Sequence, residues 1–171
     1  YIGQAMYRLG DEEQNEAWNQ QNISEIEKQL NLNKSLPTIK GTTYFSAKSF
    51  NKNPFGINKI LKENYYQYAT LPPPTNHTEN FIPEPVSDIE LIKIKRRNYK
   101  LSWKTMPENE AKKAIKFLVY KFDRDEAMDI NNPSKIIALT GQTHINIHKR
   151  DFRKRTVFVV FPVSRNNTIG E

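Results

Sequence analysis

Four carboxylates, Asp11, Glu12, Glu13 and Glu16, stand around Trp18 in a polar stretch from Leu9 to Gln21, and carboxyl groups are among the side chains that exchange protons with a substrate. The other residues with obvious chemistry are His77, His144 and His148. The last two are four apart, which on a period-two strand puts them on one face but well separated, and no carboxylate cluster accompanies them. A metal site is therefore not expected. The sequence contains no cysteine, which excludes disulfides, thiolate catalysis and cysteine-based zinc binding together. No phosphate loop or dinucleotide motif occurs among the six glycines, and no cofactor is expected. Four Asn-X-Ser/Thr matches, at Asn22, Asn33, Asn76 and Asn166, are what an asparagine-rich chain produces by chance.

The net charge of +7 lies in one half of the chain. Up to Pro83 there are 8 Lys/Arg and 8 Asp/Glu; from Glu84 onward there are 18 and 11. A basic surface of this kind can meet nucleic acid, an acidic glycan or an anionic membrane. The basic residues are scattered along alternating segments instead of lining one helix, so the expectation is a solvated sheet surface and no nucleic-acid partner. No apolar run approaches the length needed to span a bilayer, so no transmembrane segment is expected, and the residues from Tyr1 to Met6 show neither a basic leader nor a cleavage site.

Five prolines between Leu71 and Pro85 mark a stiff segment that belongs in neither a helix interior nor a central strand. Two domains are predicted on either side of it: 1–74, then a linker over 75–85, then 86–171. The first reads strand, helix, strand, helix. Ile2 to Arg8 is a short segment with little charge, and Ser24-Glu25-Ile26-Glu27 fits a capping box that starts a helix closed by Pro37. Gly41 to Ala47 is β-branched and aromatic, a buried strand. Asn53-Pro54 opens another helix, with Ile57, Ile60, Leu61, Tyr65 and Tyr68 on one stripe. That order predicts parallel strands joined by a crossover. Beyond the prolines the period becomes two. Strands are predicted over 89–94, 99–104, 115–122, 136–139, 143–147 and 156–163, an antiparallel sandwich with Trp103 buried between its sheets.

Tyr1 to Arg8, Glu16-Ala17-Trp18, Lys40 to Phe50 and Leu61 to Tyr66, in that order, resemble the closing segment of the glycosyl-hydrolase-like family ten barrels, bacterial secreted or envelope lipoproteins. The resemblance covers Tyr1 to about Pro74 and implies that Ile2–Arg8 and Gly41–Ala47 are the seventh and eighth strands of a (β/α)8 barrel. The remainder is similar to a fibronectin type III domain: Leu101-Ser102-Trp103 matches its second strand, Phe117 to Lys121 its third, and Phe158 to Val163 with Asn166-Asn167 its sixth and the turn after it. Phe158 stands where such domains carry a corner tyrosine, and the chain reaches Glu171 where a seventh strand would run.

The fold class implied is α+β with two domains, a terminal β-α-β-α barrel fragment and an antiparallel sandwich. The family implies glycan cleavage or binding. Hydrolysis needs two opposed carboxyl groups, and barrels place such groups at the C-terminal ends of strands, where neither strand here carries one. The main catalytic pair is thus expected outside these residues. Arg8, Trp18, Ser46 and Lys48 are the substrate-binding candidates: Arg8 at the end of the seventh strand by bidentate bonds, Trp18 by stacking, Ser46 and Lys48 at the end of the eighth by donating hydrogen bonds. Rim packing, an ion pair of Arg8 with the acidic loop, and a core role for Trp18 are the structural alternatives. Expected partners are a glycan or polysaccharide and either the rest of the barrel or another copy of the chain. The expected location is the bacterial cell envelope, periplasmic or anchored at the outer membrane. A non-catalytic glycan-binding or adhesion module is the competing function.

Overall fold

The structure, a computed structural model, describes residues 1–10, 18, 24–74, 81–105 and 114–170, with Ser24 given by its backbone alone. It divides into two compact units, Tyr1–Gln67 and Tyr68–Glu171. The acidic residues Asp11, Glu12, Glu13 and Glu16, the capping side chain of Ser24, and His77 lie outside the described residues.

In the first unit β1 (Ile2–Gln4) pairs in parallel with β2 (Thr42–Tyr44), in the register Ile2 with Thr42 and Gln4 with Tyr44. Between them runs α1 (Ser24–Ser35), which stops one residue before the position that Pro37 bars from a helix. Its first turn carries Glu25 and Glu27 beside the helix N-terminus and its last turn Lys34, the arrangement that the helix dipole favours. Ile26 and Leu30, one turn apart, are buried. After β2 come α2 (Ala47–Lys52), a 3-10 turn (Pro54–Gly56) and α3 (Ile57–Ile60), which widens into a π turn over Leu61–Tyr65. The Asn53 side chain accepts the Asn58 amide at 3.0 Å.

Met6, Leu9, Trp18, Ile26, Leu30, Ile57 and Leu61 form this unit's core. Tyr65 packs against it, whereas Tyr68, expected on the same stripe, lies past the end of the helix and is half exposed. Tyr44 joins β2 to the end of the π turn through a 2.6 Å hydrogen bond with the Tyr66 hydroxyl. Burial, and then that bond, push the Tyr44 phenol far above its ordinary range.

The strands of this unit are shorter than predicted. The expected strand Ile2–Arg8 ends at Gln4 and that over Gly41–Ala47 ends at Tyr44. Ala5 leaves the extended region at φ −81°, ψ 63°, and a 3-10 turn over Met6–Arg8 follows, which lets the Met6 side chain enter the core. The two segments stay joined beyond the strands, with the Phe45 amide bonded to the Gln4 carbonyl at 2.9 Å and the Tyr7 amide to the Phe45 carbonyl at 3.1 Å.

The second unit holds two three-stranded antiparallel sheets. One orders β3 (Ser87–Lys95), β4 (Asn98–Lys104) and β7 (His144–His148); the other orders β6 (Ile136–Thr140), β5 (Lys116–Asp123) and β8 (Thr156–Val163). All six predicted strands are present, displaced at their ends by no more than two residues. Alternation along β5 divides it between two cores: Phe117 and Val119 join Leu101, Trp103, Ile147 and Val160, while Leu118, Tyr120 and Phe122 join Val163. Trp103 is buried with Leu101, Val119 and Val160 in one cluster. Leu71 packs on the second cluster and Pro83 is fully buried, so residues from both ends of the proline-rich segment pack within this unit. After β8 the chain turns back and Ile169 bridges Val163. Among the described residues no helix is long and apolar enough to cross a membrane.

Candidate functional site

The C-terminal ends of two parallel strands are where a β/α fold presents loops to a ligand. Here those loops are Met6–Arg8, after β1, and Phe45–Lys52, after β2, and together with Pro54 they enclose a cleft of about 430 Å³. Ser46 and Lys48, two of the residues singled out in the sequence, both line it, with Tyr7, Ser49 and Lys52 beside them. They do not end a strand as predicted: Ser46 precedes α2 and Lys48 lies in its first turn. Strand β2 ends at Tyr44 and Ser46 is already the N-cap residue of α2, so the chain passes almost directly from strand to helix.

Gly10 closes the near wall. At φ +76° it holds a conformation that a side chain would strain, and an added Cβ would stand 3.4 Å from the Pro54 side chain. Its amide donates to the Trp18 carbonyl at 3.4 Å, which ties the end of the first loop to Trp18.

Arg8 is exposed and sits at the end of the 3-10 turn instead of a strand; its Nε lies 3.4 Å from the Tyr7 hydroxyl and its guanidinium carbon 5.8 Å from that ring. Trp18 is 8% exposed and belongs to the core with Met6 and Ile57, so its ring faces are occupied by protein. The structural alternative for Trp18, a core role, is the one the fold realises.

Two aromatic residues not among the sequence candidates stand here: Tyr7 lines the cleft, and Phe45, next to Ser46, packs on Tyr7. Tyr7 and Phe45 are 48% and 68% exposed, and their rings meet edge to face with centroids 5.9 Å apart. Exposed aromatic planes are what a sugar ring stacks on, through its apolar C–H face. The signal for them was aromatic type within a predicted strand, which pointed to burial; the early strand ends turned both rings outward. Among the described residues that line the cleft there is no carboxylate, so hydroxyls, ammonium groups and the Tyr7 ring make up its chemistry, with Phe45 packed on that ring. That set can bind and orient a polyhydroxyl ligand, but it does not by itself flank a glycosidic bond with acid and base.

No protein-family model matches the chain. It is 30% identical over 122 residues to a Bacillus subtilis (strain 168) protein named glycosyl hydrolase YngK; the alignment takes in 71% of this chain and 23% of that protein, so the chain spans about a quarter of the relative's length. Among solved structures, titin kinase with its flanking domains overlaps 53% of this chain and 15% of its own, at 14% identity and a TM-score of 0.40, an overlap too slight to bear on the fold.

Proposed function

We propose that this chain is the C-terminal part of a glycoside-hydrolase-like protein of the bacterial cell envelope, with the last two β–α steps of a (β/α)8 barrel in its first unit and a fibronectin type III-like sandwich in its second. The observation that carries the reading is the parallel pair Ile2–Gln4 and Thr42–Tyr44 with a polar, aromatic-lipped cleft at its C-terminal end. Parallel sheets are ordinarily covered on both faces. Here Gln4 and Tyr44 turn one face to the helical core while Gly3 and Thr43, opposite each other on the other face, are exposed, as they would be where further strands of a closed barrel belong. The similarity to a glycosyl hydrolase supports the same reading, and the buried tryptophan on the second strand of a two-sheet unit supports the type III assignment.

On this reading the cleft holds a sugar without cleaving it. Tyr7 and Phe45 supply stacking surface, and Ser46 and Lys48 supply hydrogen-bond donors. The catalytic carboxyl pair would come from the remainder of the barrel. The test is a titration of the 171-residue chain with neutral and acidic oligosaccharides, followed by amide resonances. Shifts clustered at Tyr7, Ser46, Lys48 and Ser49 are expected; shifts absent from the first unit with every saccharide would overturn the reading.

A further inference from the structure

The basic residues that look scattered in the sequence converge at one end of the second unit. Antiparallel pairing brings Lys95 opposite Asn98, Asn98 opposite His148, and Asp123 opposite Thr156, so in each sheet the same strand ends meet. Phe152 joins the two sheets at that end, with its ring 5.0 Å from Tyr99 of β4 and 5.8 Å from Phe158 of β8. Two backbone hydrogen bonds lock basic turns together there: the Lys149 amide to the Arg97 carbonyl at 2.7 Å, and the Arg124 amide to the Arg155 carbonyl at 2.8 Å.

The charges are not balanced locally. Arg155 is paired with Asp125, Arg150 lies 3.6 Å from Asp151, and Glu126 is held by Lys135 at 2.6 Å, which leaves Asp123 and Asp129 as the other carboxylates near this end. Lys149 rests over the Phe152 ring at 4.3 Å. Arg96, Arg97, Arg153 and Lys154 are exposed and have no carboxylate within ion-pair distance among the described residues.

The kind of polyanion follows from what accompanies the charge. A protein that settles on a bilayer inserts a contiguous apolar surface past the headgroups, but the turn tips at 96–97, 124–125, 149–151 and 153–155 are charged throughout, and the connection after 124–125 exposes two large apolar side chains, Met128 and Ile130. A single-strand nucleic-acid binder interleaves exposed aromatic rings for base stacking, whereas Tyr99 and Phe152 are half-buried against each other. What is left is recognition of repeated charge on a hydrated chain, by flexible cations spread over several turns.

We propose that this end of the second unit binds an acidic polysaccharide, one bearing a carboxylate on its repeating sugar. The choice of a saccharide over other hydrated polyanions rests on the glycan reading of the first unit; the cationic end itself does not.

The test compares binding of the 171-residue chain to polygalacturonate and to the fully methyl-esterified polymer, which has the same backbone without the charge. Polygalacturonate is expected to bind with an affinity that falls as salt rises, and the ester is not. Replacing Arg96, Arg97, Arg153 and Lys154 together by glutamine should weaken binding about ten-fold or more, in keeping with loss of several counterion-releasing contacts. A control with the same change in net charge, Lys28→Gln with Lys40→Gln, Lys59→Gln and Lys62→Gln in the first unit, should leave binding unchanged. Equal weakening in both variants, or equal binding of the ester, would overturn the proposal. So would tighter binding to duplex DNA or to vesicles of phosphatidylcholine with phosphatidylglycerol. Resonances of the first unit, titrated with neutral oligosaccharide in the same variants, report on the glycan reading separately.

Discussion

The rings of Trp103 and Phe117 meet across the two sheets of the second unit, 5.4 Å between centroids and inclined at 64°. Trp103 is 3% exposed, and its indole Nε1, though buried, has no hydrogen-bond partner among the described residues. Removing the ring therefore opens a cavity at the contact that holds the sheets together. Trp103→Ala is expected to cost about 3 to 5 kcal/mol in chemical denaturation. Trp103→Phe should cost clearly less, because it keeps most of the packing and deletes an unsatisfied donor. Equal losses for the two variants would show that the indole N–H is satisfied in solution.

Gly170 occupies a space that no side chain fits. An added Cβ would lie 2.3 Å from the Pro83 carbonyl oxygen and 2.8 Å from the Pro162 ring, while the Gly170 amide donates to the Pro162 carbonyl at 2.8 Å. Backbone atoms and a proline ring yield little, so Gly170→Ala should destabilise the second unit by about 1 to 3 kcal/mol. Gly3→Ala, where a Cβ meets nothing within 4 Å, is the matched control and should be nearly neutral by the same denaturation measurement.

Alkaline pH should loosen both units through two phenols, Tyr44 half-buried and Tyr120 buried. Burial raises the pKa of Tyr44 and of Tyr120, with Tyr66 adding to the first and Asp129 to the second. The folded state then keeps a proton that the unfolded chain releases near its ordinary value of about 10, so the stabilising contribution is complete below that pH and is lost as pH rises through the folded value. Tyr120→Phe should flatten the fall in stability above about pH 10 while costing roughly 1 kcal/mol below it, for the lost bond from its hydroxyl to the Ile130 carbonyl. An unchanged pH slope in Tyr120→Phe would refute the assignment.

At the cleft, Tyr7→Ala and Phe45→Ala should each weaken saccharide binding about three- to ten-fold, the range an aromatic stacking contact commands. Trp18→Ala should instead destabilise the first unit, since that ring lies in its core. Calorimetric titration alongside thermal melting distinguishes the two classes of effect.

The isolated chain should show no glycoside hydrolysis, because the cleft lining described here lacks opposed carboxyl groups. Turnover of an oligosaccharide panel, abolished by Glu13→Gln or Glu16→Gln, would place the catalytic machinery in the 11–16 segment and reverse this expectation.

Local periodicity governs everything that the residues alone made legible. Alternation located the six strands of the second unit and put Trp103 and Val119 inside, because strand geometry sends every second side chain to the same face wherever the strand lies. Pro37 and the stripe through Ile57 and Leu61 likewise located helices, since helix termination and helical spacing act over a few residues. Tertiary structure alone decided the rest. Residue types place Arg8, Ser46 and Lys48 at strand ends, but how long a strand persists depends on what its neighbour pairs with, and β1 and β2 stop after three residues each. Burial of Trp18 and exposure of Tyr7 and Phe45 depend on which faces the helices cover, a long-range property. The cationic end was least legible of all: Arg97 and Lys149 stand far apart in sequence, and what unites them is the order in which β3, β4 and β7 pair.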